Sequence, residues 1–234
     1  MKLSIIIPVY NEEKTIEAVL RKIAAQNIAP WEKEIIVVDD GSTDNSKATI
    51  SAFATASADK ENCKIISHDK NNGKGAALRT AIAAATGDAV IVQDADLEYD
   101  PADFPRLLRE LGDPTVDAVY GSRNISPERR GYPHYVLGVA ILTTLTNLLY
   151  NARLTDTYTC YKLIRTSVLR SLRSESNGFE WEAEVTAKLL RRGHRIVEIP
   201  IGYRPRSFRE GKKIRFRDAV IGFWTLISYR FWRS

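Results

Sequence analysis

The chain is predicted to be an α/β protein built on a mostly parallel sheet flanked by helices, with a C-terminal amphipathic helix. Three observations predict this. Short continuous apolar runs of strand length alternate with stretches that carry apolar residues at helical spacing. The runs lack the in–out alternation of a half-exposed strand and so read as buried on both faces, as in a parallel sheet between helix layers. Polar clusters stand directly after three of the runs, at Tyr10-Asn11-Glu12, Asp39-Asp40 and 94–98, where ligands bind in such sheets. At 234 residues and 44% hydrophobic, the chain suffices for one α/β domain with a C-terminal extension.

The elements follow in order. Residues 3–9, Leu-Ser-Ile-Ile-Ile-Pro-Val, form the first strand, and 12–26 carry Ile16, Val19, Leu20 and Ile23 at helical spacing. Residues 34–38 are the second strand. A helix is expected at 46–58, a short strand at 64–67 and an Ala-rich helix at 73–85. Residues 89–93 form the fourth strand, 101–111 a helix and 118–121 a fifth strand. Beyond Arg123 the alternation gives way to a loop over 126–134 containing Pro127, Gly131 and Pro133. A long apolar helix over 135–151, a helix over 176–192, a strand over 195–201 and a basic loop over 203–213 follow. From Phe216 onward, apolar residues at 216, 220, 223, 224, 227 and 231 make one helical stripe.

Charge is unevenly spread. The net charge is +5, yet residues 201–234 alone hold nine Lys or Arg against Glu210 and Asp218. A basic tail on a near-neutral body points to an anionic partner. Nucleic acid is not expected, because base-stacking aromatics are not interleaved with basic residues over the rest of the chain. Cys63 and Cys160 make no disulfide framework and have no metal-ligand spacing, so a reducing, cytosolic setting is expected. The N-terminus enters a strand at once and predicts no signal peptide. The most apolar stretch, 136–150, is interrupted by Thr143, Thr144, Thr146 and Asn147, so no membrane span is expected.

Asp94-Ala95-Asp96 is the most informative motif. Two carboxylates at the end of an apolar strand are poor core residues, because unpaired buried charge is costly. Hard oxygen ligands suit Mg2+ or Mn2+, which take phosphate oxygens as further ligands. The alternative is a turn whose aspartates cap the next helix. Gly73-Lys74-Gly75 is not a phosphate-binding P-loop, and no dinucleotide fingerprint follows the first strand. His68, His134 and His194 read as surface or loop residues.

The ordered set 7–12 (Ile-Pro-Val-Tyr-Asn-Glu), 37–44 (Val-Val-Asp-Asp-Gly-Ser-Thr-Asp), 72–75 (Asn-Gly-Lys-Gly), 94–97 (Asp-Ala-Asp-Leu), 121–123 (Gly-Ser-Arg), 159–162 (Thr-Cys-Tyr-Lys) and Arg206 with 210–214 (Glu-Gly-Lys-Lys-Ile) resembles the family-two glycosyltransferases of GT-A fold. More narrowly it resembles the dolichyl-phosphate mannose synthase and polyprenyl-phosphate sugar transferase branch. The resemblance covers nearly the whole chain. It implies that Pro8, Tyr10, Glu12, Val38 and Asp40 hold the nucleotide, that Asp94 and Ala95 lie against the nucleotide-sugar, and that Asp96 and Glu98 bind the metal. The family often has Gln where this chain has Glu98. Arg123, Arg206 and Lys212 would meet the diphosphate and the acceptor phosphate.

The chemistry suits these residue types. Departure of a diphosphate builds negative charge, which a metal and the cations Arg206, Lys212 and Lys213 stabilise as it develops. A phosphate acceptor is already ionised near neutral pH, whereas a hydroxyl acceptor needs a general base. The candidate bases are Glu182 and Glu184, the latter on one helical face with Glu180; a glutamate beside Trp181 is open to a raised pKa. The other reading of these glutamates is an acidic first helical turn favoured by the helix dipole.

The expected activity is metal-dependent, inverting transfer of a sugar from a nucleotide-sugar such as GDP-mannose or UDP-glucose to a polyprenyl phosphate. The alternatives are the same fold with a hydroxyl acceptor and a glutamate base, and a nucleotide-binding protein without catalysis. Residues 1–214 are expected to form the catalytic domain. Residues 215–234, with Phe223, Trp224, Ile227, Phe231 and Trp232 among Arg215, Arg217, Arg230 and Arg233, are expected to form an interfacial helix at the inner face of the membrane.

Overall fold

A computed structural model describes residues 1–56, 62–125, 132–206, 213 and 216–232. Strands β1 (Lys2–Val9), β2 (Glu32–Asp39), β3 (Cys63–Ser67), β4 (Ala89–Val92), β5 (Ala118–Ser122), β6 (Lys162–Arg165) and β7 (Ile196–Pro200) form one seven-stranded sheet. The helices are α1 (Ile16–Ala25), α2 (Ser46–Ala56), α3 (Lys74–Ala84), α4 (Phe104–Leu111), α5 (Pro133–Tyr150), α6 (Thr166–Ser171), α7 (Trp181–Arg191) and α8 (Phe216–Phe231). The strand order is β3-β2-β1-β4-β6-β5-β7. All pairings are parallel except those of β6, which runs antiparallel to both β4 and β5.

The central strands are the buried apolar runs of the sequence. Ile5, Ile6 and Ile7 of β1 and Val37 and Val38 of β2 have no exposed surface. The edge strand β3 departs from that pattern: its residues are half-buried or exposed, because only β2 covers it. Strand β6 and helix α6 were not expected. Four residues, Lys-Leu-Ile-Arg, are too short and too flanked by charge to show a period.

Helix starts shift inward where polar residues make turns. α1 begins at Ile16, because Asn11 takes a left-handed φ of 51° and Glu12 carries the turn into the helix. α7 begins at Trp181, after the chain of 174–180 has packed against α3. The 101–111 segment is a short 3-10 turn, Pro101–Asp103, that leads into α4. A second cluster of Leu142, Ala183, Ala187, Leu226 and Tyr229 joins α5, α7 and α8 beside the main core. Among the described residues, no helix is long and apolar enough to cross a membrane.

The two ends of the sheet differ in chemistry. At the amino ends of the strands, Glu34 is buried and accepts from Ser4 Oγ at 2.5 Å, Thr86 Oγ1 at 3.0 Å and the Gly87 N–H at 3.0 Å, with Lys64 Nζ at 3.3 Å. Burial alone would raise its pKa, but these donors outweigh it and bring the carboxyl down to about 2. The carboxyl ends carry the acidic clusters.

Candidate active site

The loop after β4 is wound tightly. Leu97 sits at φ 61°, and the Glu98 N–H donates to Asp96 Oδ1 at 3.1 Å. Asp94, Asp96 and Glu98 are thereby held on one short turn. Asp94 pairs with Lys74 Nζ at 2.8 Å and Asp96 with Arg206 Nη2 at 3.1 Å. Glu98 accepts from the Tyr203 hydroxyl at 2.9 Å and from the Arg206 N–H at 2.8 Å. Ala95 is buried beneath them.

Asp96 is under-compensated. Burial first, then the charges of Asp94 and Glu98, raise its pKa to about 7, and Arg206 offsets only part of this. A divalent cation supplies the missing positive charge, and the donor set is the hard-oxygen set that Mg2+ or Mn2+ takes. Among the described residues no three His, Cys, Asp or Glu side chains form a closed cage. The residues therefore fit a seat of Asp96 and Glu98 completed by ligand oxygens. Both Glu98 oxygens accept a hydrogen bond from the 203–206 loop.

Glu12, at the end of β1, accepts from Arg206 Nη1 at 3.0 Å on both oxygens and pairs with Lys213 Nζ at 2.6 Å. Lys213 also reaches the Tyr10 carbonyl and lies 5.7 Å from the centre of the Tyr10 ring. The structure thus brings Tyr10, Glu12, Asp96, Glu98 and Arg206 to one place, with Pro8 half-buried just behind in β1. Lys212 lies outside the described residues.

Several expected residues do other work. Val38 is fully buried in the sheet. Asp40 spends both oxygens on its neighbours: it accepts from the N–H groups of Asn72 at 3.0 Å and Gly73 at 2.8 Å, and pairs with His68 Nδ1 at 2.7 Å. The His68 ring continues to Thr80 Oγ1 at 2.9 Å, so this histidine, in the loop after β3, ties Asp40 at the end of β2 to α3. The Arg123 fork is taken by the buried Asp156, Nε at 2.7 Å and Nη2 at 2.8 Å, and its guanidinium stacks 5.1 Å from the Tyr203 ring. Burial opposes the Arg123 charge, yet Asp156 more than restores it.

The glutamates of α7 are both buried. Glu184 accepts from the N–H groups of Glu175 and Ser176, from Lys188 Nζ and from the Tyr229 hydroxyl, all between 2.7 and 2.9 Å. Burial works to raise its pKa, but these donors outweigh that and lower it. It fastens α7 to the preceding loop and to α8, and the role of base does not fit it. Glu182 lies between two lysines, with Lys162 Nζ at 2.5 Å and Lys74 Nζ at 3.3 Å.

Lys74, Lys162 and Asp156 were not singled out as site residues, yet Lys74 and Lys162 build an ion-paired chain Asp94–Lys74–Glu182–Lys162 beside the acidic turn, and Asp156 holds Arg123. Two glycines permit it. A Cβ on Gly73, at φ 100°, or on Gly75 would run into the carbonyls of Asn177 and Ser176. The signal in the sequence was the Gly-Lys-Gly spacing, which marks a close backbone approach as well as a phosphate loop.

The same fold occurs in glucosyl-3-phosphoglycerate synthase of Mycobacterium tuberculosis, solved with UDP: the TM-score is 0.74 at 22% identity, over 99% of this chain and 79% of that one. Fold and acidic carboxyl edge together define the GT-A class. Within it, the chain belongs to glycosyl transferase family 2, whose family model matches residues 4–173. It is a glycosyltransferase. An uncharacterized protein of Methanocaldococcus jannaschii is 31% identical over 202 residues, 82% of this chain and 84% of that protein. Glycosyltransferase AglD of Haloferax volcanii is 27% identical over 244 residues, all of this chain and 37% of AglD. An undecaprenyl-phosphate 4-deoxy-4-formamido-L-arabinose transferase of Pseudomonas fluorescens is 38% identical over 141 residues, 59% of this chain and 40% of that enzyme. The chain thus spans about two fifths of the length of these two named relatives.

Proposed function

We propose that the chain transfers a sugar from a nucleotide-sugar to a polyprenyl phosphate, with inversion, using Mg2+ or Mn2+. The observation that carries the choice of acceptor is the state of the α7 glutamates. A general base needs a pKa near the working pH and a lone pair for the proton. Glu184 is saturated with donors, and Glu182 is ion-paired to Lys162 and Lys74, so a base role could fall only to Glu182, whose Oε1 accepts no hydrogen bond among the described residues. A phosphate acceptor needs neither, because its oxygen is already ionised. Relatives named as acting on undecaprenyl phosphate and dodecaprenyl phosphate support the same acceptor class.

In the reaction, an oxygen of the acceptor phosphate attacks the anomeric carbon from the face opposite the leaving diphosphate. The bond from that carbon to the diphosphate oxygen breaks, and its electron pair leaves with the nucleoside diphosphate. Asp96 and Glu98 would hold the divalent cation, which when bound would supply positive charge to the leaving diphosphate. Arg206, beside Asp96, adds a guanidinium that can pair with the diphosphate. Asp94 and Ala95 are proposed to lie against the nucleotide-sugar, with Lys74 and Glu182 ion-paired beside Asp94. Solved complexes of the M. tuberculosis synthase with Mn2+, UDP-glucose and phosphoglyceric acid support the metal and the donor class, and the last of these is a soluble acceptor that also carries phosphate.

Residues 1–214 are proposed as the catalytic unit, with 215–234 as a contact to the cytosolic face of a membrane. Exposed Leu137 and Ile141 on α5 and Val220, Phe223 and Trp224 on α8 form the apolar part, with exposed Arg217 and Arg230 for anionic headgroups. Co-sedimentation with phosphatidylglycerol vesicles, weakened by W224S and by salt, tests this part.

The test of the reaction is nucleoside diphosphate release from GDP- and UDP-sugars with Mn2+ or Mg2+, with and without a polyprenyl phosphate in detergent. Release from one donor that depends on metal and lipid phosphate supports the proposal. Slow release indifferent to the lipid overturns the acceptor. E182Q separates the alternatives further: a phosphate acceptor predicts a pH–rate profile of unchanged shape, whereas a glutamate base predicts loss of its acidic limb.

A further inference from the structure

Arg206 lies across both ends of the acidic edge. Its Nη1 is 3.0 Å from each oxygen of Glu12, after β1, and its Nη2 is 3.1 Å from Asp96 Oδ2, after β4. Its own N–H holds Glu98 Oε1 at 2.8 Å, and Tyr203 of the same loop holds the other Glu98 oxygen at 2.9 Å. The side chain is 14% exposed, and its Nε is buried without a hydrogen-bond partner among the described residues. One guanidinium thus neutralises the carboxylate at the end of β1 and the carboxylate after β4, and its loop covers the second expected metal ligand.

We infer that Arg206 is the resident counter-ion of the metal seat and makes metal binding conditional on the donor's diphosphate. This rests on the donor and metal reading proposed above. A divalent cation arriving alone must displace a buried guanidinium from Asp96 and leave that positive charge close to the incoming ion. A diphosphate changes the balance, because it offers the guanidinium a bidentate anionic partner and an acceptor for the orphaned Nε. Asp96 is then released, and Lys213, 2.6 Å from Glu12 Oε1, keeps Glu12 compensated while Arg206 turns. Metal and nucleotide therefore bind cooperatively through Arg206, and each tightens the other by the same factor.

The test measures binding and needs no turnover. The full chain is titrated with Mn2+, followed by the electron paramagnetic resonance of free Mn2+, alone and with saturating GDP or UDP. A diphosphate ligates Mn2+ itself, so some coupling survives in every variant, and the role of Arg206 is read from the affinity for metal alone. R206Q is expected to bind Mn2+ alone about tenfold tighter than wild type and to lose a similar factor from the nucleotide-dependent enhancement. R206K, which keeps the charge without the fork, is expected to fall between them. Circular dichroism checks that both variants fold, and R206K carries the comparison if R206Q does not. Mn2+ affinity unchanged or weakened in the variants, with nucleotide still bound, would overturn the counter-ion role and leave the donor reading standing. Failure of wild type to bind either nucleotide, with or without Mn2+, would overturn the donor reading and this inference together.

Discussion

Glu34, buried, and Asp96, half-buried, are carboxylates at opposite ends of one sheet, and the protein treats them in opposite ways. Glu34 receives more donors than burial costs it, and its pKa falls to about 2. Asp96 sits between two other carboxylates with one arginine to share, and its pKa rises to about 7. The amino end of the sheet is finished as it stands, whereas the carboxyl end has a charge deficit that a ligand can fill. Satisfied polar networks hold a fold together, and strongly perturbed carboxyls in a cleft mark where chemistry is expected.

Four experiments sharpen or break this contrast. The largest effect is expected from D96N, which should lower metal-dependent turnover by about 10³-fold while leaving the melting temperature unchanged or higher. Turnover within tenfold of wild type, or a clear drop in stability, would show that Asp96 is a structural residue like Glu34. E34A should do the reverse. It strands the donors of Ser4, Thr86 and Gly87 and should cost about 3 kcal/mol by urea denaturation, with kcat of the folded protein unchanged.

The pH dependence of stability should divide in the same way. Glu34 has a folded pKa below its ordinary 4.5, so its contribution is complete above about pH 4.5 and is lost as pH falls toward 2. Asp96 has a folded pKa above its ordinary 3.8, so protonation favours the folded state, and stability declines as pH rises from about 4 toward 7. Urea midpoints across pH 3–8 should lose the acid limb in E34A and the neutral limb in D96N. A neutral limb that persists in D96N would assign it to another group. The smallest effect is expected from S4A, which removes one donor to Glu34 and should cost about 1 kcal/mol in the same assay.

Much of the fold was legible because the central strands are continuous apolar runs and polar clusters punctuate their ends. Asp94, Asp96, Glu98 and Glu12 were legible for the same reason, since charge close after a parallel strand has few other uses, whereas Arg206, in the basic loop beyond β7, was picked out by the resemblance to the family. The exceptions have a common cause in β6. An antiparallel strand brings its beginning to the ligand edge, with Lys162 paired opposite Tyr120 near the end of β5. The residues that matter there, Asp156 to Lys162, precede their strand, and a search after each apolar run passes them by. Lys162 was further hidden because a fully buried lysine has no periodic signature; only its partners, Glu182 and the carbonyls of Thr157 and Thr159, explain it. Asp40 and Arg123 could not be placed from sequence, because the residues they bind, His68 and Asp156, are 28 and 33 positions away.

The missing methyl groups of Gly73 and Gly75 have a consequence for how the two halves of the chain tolerate change. The carbonyls of Asn177 and Ser176 rest where those methyls would be, so the start of α3 and the approach to α7 meet backbone to backbone there, with the Arg79 guanidinium fastening the same stretch. Core side chains elsewhere can exchange volume with a neighbour, but here there is nothing to trim in compensation. The separation between a lysine near position 74 and a glutamate near 182 is therefore a fixed dimension of the molecule. Drift in sequence on either side can alter what is presented across that gap far more easily than it can alter the gap's width.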